Sequence, residues 1–509
     1  MTFFDWLVIA AYLGGTIAFG MWLGRKQDDL EDYFLGGRGI PWWAALLSLV
    51  ATEISAATFL GAPEQGYVRD MTYMQFSIGT ICARFVLAAL FLGAFYHFRV
   101  YTVYGFLTLR FGDATRATMA GVFLLGRLFA SGARLFIAAI AINVATGLDM
   151  STSILILGAV AIVYTWFGGI KAVIWTDVVQ AVVLLSGGVI AVFSLLQQIP
   201  LPLGEIVDEL AAAGKFRIFD TTWSTPDGEP AAFFNAYHLL PAVIGGFFLT
   251  MATHGTDHDM VQRLLTCKES ADGKRSMWLS GFIGVAVTLL FLFVGQLLFA
   301  YVNHLPPGHS MLEVAEQLRG AGKNGHFFLH YIVEVLPAGI TGLVLAAVFA
   351  AAMSSLDSAL SAMTATFVTD FYQPFFKGDG DAAHYLRVAR LATGAIGLLL
   401  VGTSLLVVYY YEANPETDLL SIALGVMTFF YGALLGVFLC GFLFRSRGNS
   451  LSNAVGAALS IAVIVYIKYQ TSVAWPWFIV VGTLITLAVA LVGRTASEVV
   501  QRFAASREE

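Results

Sequence analysis

The sequence Ala-Ala-Ala-Met-Ser-Ser-Leu-Asp-Ser occupies residues 350–358, in the middle of a long apolar segment. If this run is helical, its small and hydroxyl side chains share one face, and they are Ala351, Ser354, Ser355 and Ser358. Another backbone can approach such a face closely, and hydroxyls, carbonyls and the carboxylate of Asp357 are oxygen ligands for a small hard cation. The pattern equally suits a packing interface whose hydroxyls bond back to their own helix. The run alone leaves both interpretations open.

The composition identifies the class of protein. Of the 509 residues, 58% are hydrophobic and only 12% are charged, and the mean hydropathy is +0.77. A soluble chain carries about 25% charged residues. We therefore expect an all-α, multi-pass protein of the plasma or inner cell membrane, surrounded by the lipid bilayer and without a nucleic-acid partner. The three cysteines lie far apart and show neither a disulfide framework nor metal-ligand spacing.

Apolar segments of membrane-spanning length recur along the chain and predict about 13 transmembrane helices. They fall at 3–24, 42–68, 73–96, 117–147, 150–168, 172–198, 236–266, 277–303, 337–371, 386–411, 418–444, 453–470 and 473–493. Placing the N-terminus outside puts most of the 28 Lys and Arg residues on the cytoplasmic side. The predicted orientation is therefore N-out and C-in. The polar segment 199–235 predicts an outer cap, and the periodicity of 310–334 predicts a short external helix.

Two of these segments carry polar runs at mid-depth. Residues 51–58 place a charge and several hydroxyls in the second segment, and residues 253–259 do the same in the seventh, with a glycine at the centre. Unwound backbone within a membrane is tolerated only where it lines a cavity, and paired interruptions in two halves of a chain indicate a transporter's binding site. The two runs are five segments apart, as two inverted five-helix repeats require.

Several motifs, taken together and in order, resemble the sodium/solute symporter family, which includes sodium/glucose, sodium/proline and sodium/sialic acid cotransporters. They lie at 34–38, 41–43, 48–61, 168–177, 256–257, 261–263 and 351–358. The resemblance implies a leucine-transporter-type fold of 5+5 inverted repeats in a single transmembrane domain, 1–509. Its parts would be an extra helix at 3–24, repeats at 42–198 and 236–444, and two further helices at 453–493. It also implies a protein that functions as a monomer.

The resemblance implies one or two sodium ions as coupling ions. The first site would use the carbonyls of Ala51, Ile54 and Ala351 with the hydroxyls of Ser354 and Ser355. Unwound carbonyls that point at a cation fit this role. A possible second site would use Asp177, Ser354, Asp357 and Ser358. The sialic acid type has a hydroxyl where this chain has Asp357, so this residue binds either the second ion or a proton.

The family pattern also implies a set of side chains facing a central cavity. They are Glu53, Ser55, Thr58, Ser77, His254 and Asp257. Ser55 and Thr58 match the sialic acid type, where they help to hold a carboxylate. The arginine of that type has no direct counterpart, since Arg127 and Arg134 each miss its spacing by about one helical turn. A sugar or polyol is favoured as the solute, and an organic acid such as a sialic acid or monocarboxylate is the alternative.

The sequence therefore predicts a sodium-coupled symporter, not an enzyme, that imports a small polar solute by alternating access. A rival is a membrane enzyme or metal site at His254 and His258, which stand four residues apart with Asp257 and Asp259 nearby. The four side chains do not share one face of a regular helix, which disfavours that reading. Another rival is a proton-coupled carrier of the same fold. A sensing or channel protein is disfavoured because the sequence appends no further domain.

Overall fold

The computed structural model describes residues 1–24, 30–167, 169–225, 227–376 and 380–496. Within these ranges the chain is helical and forms no β-strand, only isolated bridges. Gly168 of the 168–177 motif and the C-terminal end of the predicted domain, 497–509, lie outside the described residues.

Fifteen helices are labelled in chain order. They are α1 Phe3–Leu23, α2 Trp42–Glu53, α3 Ala56–Val68, α4 Gln75–Leu90, α5 Asp113–Thr146, α6 Met150–Phe167, α7 Ile170–Gln198, α8 Leu239–Gly255, α9 His258–Leu265, α10 Ser270–Asn303, α11 Ile340–Thr366, α12 Ala382–Ala413, α13 Leu419–Leu443, α14 Ser450–Gln470 and α15 Pro476–Val492.

Shorter helices connect them. They are Leu30–Leu35, Leu92–His97, Gly105–Phe111, Leu203–Ala212, Ala231–Phe234, Ser310–Gly320, Phe327–Glu334 and Gln373–Phe375, with 3₁₀ turns at Gly36–Arg38, Thr72–Met74 and Asn324–His326 and a π-helical turn at Phe367–Tyr372. The helix Ser310–Gly320 confirms the predicted helix in 310–334, although its side of the membrane stays a prediction.

In the described ranges, ten helices are long and apolar enough to cross a membrane, and the bent pair α2–α3 makes eleven. Met150–Val163 and Pro476–Val492 are shorter apolar helices in the places of two further predicted spans. The all-helical membrane class is therefore confirmed. The count of 13, the orientation and the division into repeats stay predictions.

Both predicted interruptions exist. Helix α2 ends at Glu53 and α3 begins at Ala56 with a 58° bend between them. Ile54 and Ser55 have non-helical backbone angles, and the Ser55 hydroxyl accepts the Ala57 N–H at 3.3 Å as an N-cap. In the second interruption α8 ends at Gly255, and Asp257 caps α9 by accepting the Asp259 N–H at 2.9 Å. Each break frees backbone carbonyls at a helix C-terminus.

Helix α11, which carries the 350–358 run, is the centre of the bundle. In its apolar window 94% of the residues are buried, against 17% for α1. It packs against α1, α2, α5, α7, α9 and α12. Because Ala and Ser side chains are small, these neighbours approach its backbone closely. The run therefore lies in the protein core, beside both breaks, and not against lipid.

Candidate functional site

The 350–358 run contacts the first break directly. The Ser354 hydroxyl donates to the Ala51 carbonyl at 2.9 Å, and the Ser355 hydroxyl donates to the Thr52 carbonyl at 3.2 Å. Both hydroxyls also lie within hydrogen-bond distance of the Ala351 carbonyl. Because α2 ends at Glu53, the Ala51 and Thr52 carbonyls have no helical partner further along the chain. Two hydroxyls and three carbonyls thus meet at one point.

Four of the five residues predicted for the first sodium site are therefore in contact. Ile54 is buried at the break, but its carbonyl forms no hydrogen bond with either serine in the described part of the chain. Thr52, which the sequence analysis did not select, contributes its carbonyl instead. Neutral oxygens at the end of an unwound helix suit a monovalent cation that must bind and leave again.

The residues of the possible second site adjoin the first. Asp177 on α7 accepts the Ser48 hydroxyl at 2.6 Å and lies 3.3 Å from the Arg263 guanidinium. Its Oδ1 atom is buried and receives no hydrogen bond within the described ranges. Asp357 accepts the Ser358 N–H at 2.6 Å through Oδ1, while its buried Oδ2 is likewise without a hydrogen bond there. The two carboxylates interact electrostatically, and both have an oxygen available for a cation.

A fully buried ion network joins this region to the second break. Arg127 on α5 contacts Asp257 at 3.0 Å through one nitrogen and Asp259 through another. Arg263 contacts Asp259 at 2.7 Å. The Tyr431 hydroxyl donates to Asp257 at 2.6 Å. Asp257, predicted to face the cavity, is therefore committed to ion pairs and has no exposed surface.

A second buried cluster surrounds Glu53. Its Oε1 atom accepts from Arg84 at 2.5 Å and from the imidazole of His254. Arg84 also donates to the hydroxyl of Ser280. Glu53, Thr58 and Ser77 are partly exposed, whereas Ser55 and His254 are buried. Of the six predicted cavity residues, Glu53, Thr58 and Ser77 are therefore partly accessible, and Ser55, His254 and Asp257 are buried.

The four side chains of the rival metal site do not converge on a common point. His254 binds Glu53, whereas Asp257 and Asp259 bind Arg127. His258 is buried, and neither ring nitrogen receives a hydrogen bond from described residues. Among the described residues, no group of three His, Cys, Asp or Glu side chains is arranged to hold a metal. The geometry therefore gives no support to this rival.

Arg134 is a buried cation without an ion pair in the described part of the chain. Its Nε and Nη1 atoms are buried without a hydrogen bond, and Nη2 lies 3.7 Å from the sulfur of Met427. Arg134 follows Arg127 by seven residues on α5, so both side chains lie on the same helical face, about 10 Å apart along the axis. Met427 lies one turn before Tyr431 on α13, which fits this placement. Arg134 is therefore two turns away from the Asp257 network, on the face directed at the second break.

Several site residues escaped the sequence analysis. Ser48 and Tyr431, which bind Asp177 and Asp257, and Ser280, which binds Arg84, are single polar residues in apolar helices. Such residues are a weak signal in a membrane segment, because a hydroxyl there can also bond to its own helix. Their partners lie more than 100 residues away. Spacing along the sequence therefore could not identify them.

This chain is similar to known proteins over most of its length. The family model described as "Sodium:solute symporter family" matches residues 33–491. The sodium/sialic acid symporter NanT of Aliivibrio fischeri is 28% identical over 95% of this chain and 92% of its own length. The sodium/glucose cotransporter of Vibrio parahaemolyticus is 26% identical over 92% of this chain and 86% of its own.

The fold matches a solved structure over nearly its whole length. A Na⁺-coupled sialic acid symporter in a substrate-bound, outward-open state superposes with a TM-score of 0.82 at 24% sequence identity, covering 96% of this chain and 97% of that one. The likeness at this identity concerns the fold. The match of the family model concerns the sequence and extends over nearly all the spans. This chain belongs to the sodium:solute symporter family, whose members are multi-pass membrane transporters that use Na⁺ as the coupling ion.

Proposed function

We propose that this sodium-coupled symporter imports a small organic acid and binds it through the negative charge of a carboxylate. The sequence favours a sugar or polyol and gives the organic acid as the alternative. Two observations now favour the alternative: one is the likeness to sialic acid symporters, and the other is Arg134.

Arg134 carries the proposal. A guanidinium group buried without an anion is costly, and such groups in membrane proteins face a cavity or a partner. Arg127, on the same face of α5, already forms ion pairs with two carboxylates, those of Asp257 and Asp259. Arg134 has two nitrogen donors without a partner in the described ranges. A guanidinium with two available donors binds a carboxylate in a bidentate manner.

The buried carboxylates support sodium as the ion that is transported with the organic acid. The guanidiniums of Arg127 and Arg263 face four carboxylates, those of Asp177, Asp257, Asp259 and Asp357. The unpaired carboxylate oxygens belong to Asp177 and Asp357. A sodium ion beside Asp177 and Asp357 would supply the missing partner of these oxygens.

The proposed first sodium site lies between two helices, and this position explains how sodium binding is coupled to transport. Ala51 and Thr52 belong to α2, whereas Ala351, Ser354 and Ser355 belong to α11. Sodium bound between the two helices holds them together, and their separation releases it. Each net positive charge that enters down about 100 mV supplies roughly 2.3 kcal/mol, enough for about 50-fold accumulation. Two sodium ions with one carboxylate gain this energy, whereas one sodium ion with one carboxylate is neutral and is driven by the sodium concentration gradient alone. The N-out orientation, the 13 spans, the repeats at 42–198 and 236–444, and function as a monomer are part of the proposal.

Uptake into proteoliposomes tests this function. We expect N-acetylneuraminate or a smaller hydroxylated carboxylate to enter only with an inward sodium gradient, and glucose and sorbitol not to enter. Sodium-driven uptake of glucose without uptake of any carboxylate would restore the sugar reading. Uptake that ignores sodium but follows a pH gradient would favour the proton-coupled carrier.

A further inference from the structure

A cavity with a cationic lining lies at the predicted cytoplasmic ends of α4 and α10. Its volume is about 620 Å³, within the range of small-molecule sites, and its lining includes Arg38, Arg99 and Lys268. Arg99 and Lys268 lie just outside the predicted spans 73–96 and 277–303, which places the cavity at the depth of the lipid headgroups. None of the three residues belongs to the candidate sodium or solute sites.

Two of these cations have an unfavourable backbone conformation. In the described ranges, the only residues other than glycine with a positive φ are Arg38 at 50° and Arg99 at 47°. Side chains disfavour this left-handed region, and residues held in it concentrate at ligand-binding sites. Both residues line the same cavity. The fold therefore holds two guanidinium groups in one place at a conformational cost.

Cations outnumber carboxylates in the lining of this cavity. Glu31 contacts Arg38 at 3.2 Å, and Glu269 is the other carboxylate of the lining. Arg99 and Lys268 are exposed, and neither forms an ion pair within the described ranges. Three cations and two carboxylates give the cavity a positive charge, so it attracts an anion.

A row of side chains on α10 connects the cavity to the lipid-facing surface. The row has a spacing of four residues and consists of Ser270, Lys274, Trp278 and Phe282. Ser270 lines the cavity. A Cβ atom at Gly93 would lie 3.9 Å from the Nζ atom of Lys274, so Lys274 faces the short helix that carries the cavity residue Tyr96. The polar half of the row therefore adjoins the cavity.

The other half of the row is aromatic. Trp278 lies about 12 Å deeper along α10 than Ser270. Its ring centroid is 5.6 Å from that of Phe85 on α4, and Phe85, Trp278 and Phe282 are all exposed. Exposed apolar rings in a membrane span contact acyl chains, and tryptophan concentrates near the headgroups. The cationic cavity thus continues into an apolar surface.

We propose that this cavity binds the phosphate of an anionic phospholipid headgroup, with the acyl chains of that lipid lying along Trp278 and Phe282. Phosphate oxygens accept hydrogen bonds from guanidinium and ammonium groups, and basic pockets on the cytoplasmic side of membrane proteins bind such headgroups. A soluble phosphate would use the cations but leave the aromatic half of the row without a partner. The proposal does not depend on which solute is transported.

Native mass spectrometry of the purified, full-length protein tests the proposal. The detergent contains equal amounts of dioleoyl phosphatidylglycerol and dioleoyl phosphatidylcholine. We expect one phosphatidylglycerol molecule to be retained about 25-fold in preference to phosphatidylcholine, because each of two unpaired cations contributes a factor of about 5. Equal retention of the two lipids would overturn the proposal.

Glycerol phosphate, which lacks acyl chains, separates a lipid from a soluble anion. At the concentration of the lipid it should neither be retained nor displace phosphatidylglycerol, because it cannot contact the aromatic half of the row. Retention of glycerol phosphate equal to that of phosphatidylglycerol would assign the cavity to a soluble anion and would overturn the proposal.

Variants assign the preference to the cavity. Lys268→Gln and Arg99→Asn each remove one cation, and asparagine is chosen because it tolerates the left-handed backbone. Each variant should lower the preference for phosphatidylglycerol about 5-fold. Arg445→Gln, which removes an exposed cation elsewhere on the predicted cytoplasmic side, is the matched control and should keep the preference.

Two results with these variants would contradict the proposal. One is a preference that persists in Lys268→Gln, which serves alone where Arg99→Asn does not fold. The other is an equal loss in Arg445→Gln, which would assign the preference to the total charge of the protein and not to this cavity.

Discussion

Two sets of buried charges share one core and differ in how completely they are paired. In the set around the second break, Arg127 contacts Asp257 and Asp259, and Arg263 bridges Asp259 and Asp177. Toward α11 and along α5 the pairing is incomplete. Asp177 Oδ1, Asp357 Oδ2 and two nitrogens of Arg134 are buried without hydrogen bonds among the described residues.

We infer that the paired charges stabilise the fold and that the unpaired groups bind the transported ion and solute. Removing one member of a buried ion pair leaves its partner uncompensated, so the paired set holds α5, α7, α9 and α13 together. Buried polar atoms without partners are rare in folded proteins, and each needs an explanation. Four of the unpartnered atoms belong to the carboxylates of Asp177 and Asp357 and to the guanidinium of Arg134. Their natural partners are a cation and an anion, which are the two cargoes of a symporter of organic acids.

The largest expected effect is on the paired set. Arg127→Met would leave Asp257 and Asp259 without their common cation and should lower the free energy of unfolding by about 3–5 kcal/mol. Thermal unfolding of the purified protein in detergent measures this, with Arg127→Lys as the variant that keeps the charge. An unchanged melting temperature would mean that the network does not stabilise the bundle.

Arg134→Met should have the opposite effect, in that stability is kept and transport is lost. The protein should fold at least as stably as the wild type, because a buried cation with no ion pair in the described chain is replaced by an apolar side chain of similar length. Sodium-driven uptake of carboxylates should fall about 100-fold through loss of a charged, bidentate contact. Arg134→Lys should recover part of the uptake. Full uptake by Arg134→Met would mean that Arg134 does not bind the carboxylate. The proposed difference in role between Arg134 and Arg127 would then be wrong.

Ser355→Ala tests the proposed first sodium site, where the hydroxyls of α11 contact the carbonyls at the end of α2. Loss of this hydroxyl should raise the sodium concentration needed for half-maximal uptake by at least about 10-fold and leave stability near that of the wild type. Ser361→Ala, further along the same helix, is the matched control. Unaltered sodium dependence in Ser355→Ala would exclude the first sodium site at these residues.

Asp177→Asn has the smallest expected effect and concerns the second ion. Asparagine can keep the contact with Ser48 but loses the charge that faces Arg263 and Asp357. If a second sodium binds here, the Hill coefficient for sodium should fall toward one while transport persists. A coefficient that does not differ between this variant and the wild type would indicate that Asp177 only anchors Arg263.

Several features of the candidate site could be predicted from the sequence, because they depend on patterns of neighbouring residues. Hydroxyls within an apolar segment marked both breaks, and the spacing of Ala351, Ser354 and Ser355 predicted a face that a second backbone approaches. The contact of that face with Ala51 was implied by the family resemblance, and the structure adds Thr52. The choice of solute was less accessible, because Arg127 and Arg134 are alike in residue type, burial and helix face.

The sequence by itself determined the membrane class, the positions of the two breaks and the small-residue face of α11, since composition and helical periodicity are properties of neighbouring residues. The tertiary structure decided which charges are paired. Arg127 and Asp257 are 130 residues apart, and nothing in their local sequence distinguishes Arg127 from Arg134. Only the tertiary structure brings Asp257 and Asp259 to Arg127 and leaves Arg134 without an ion pair in the described ranges, because ion pairing depends on distance in space and not along the chain.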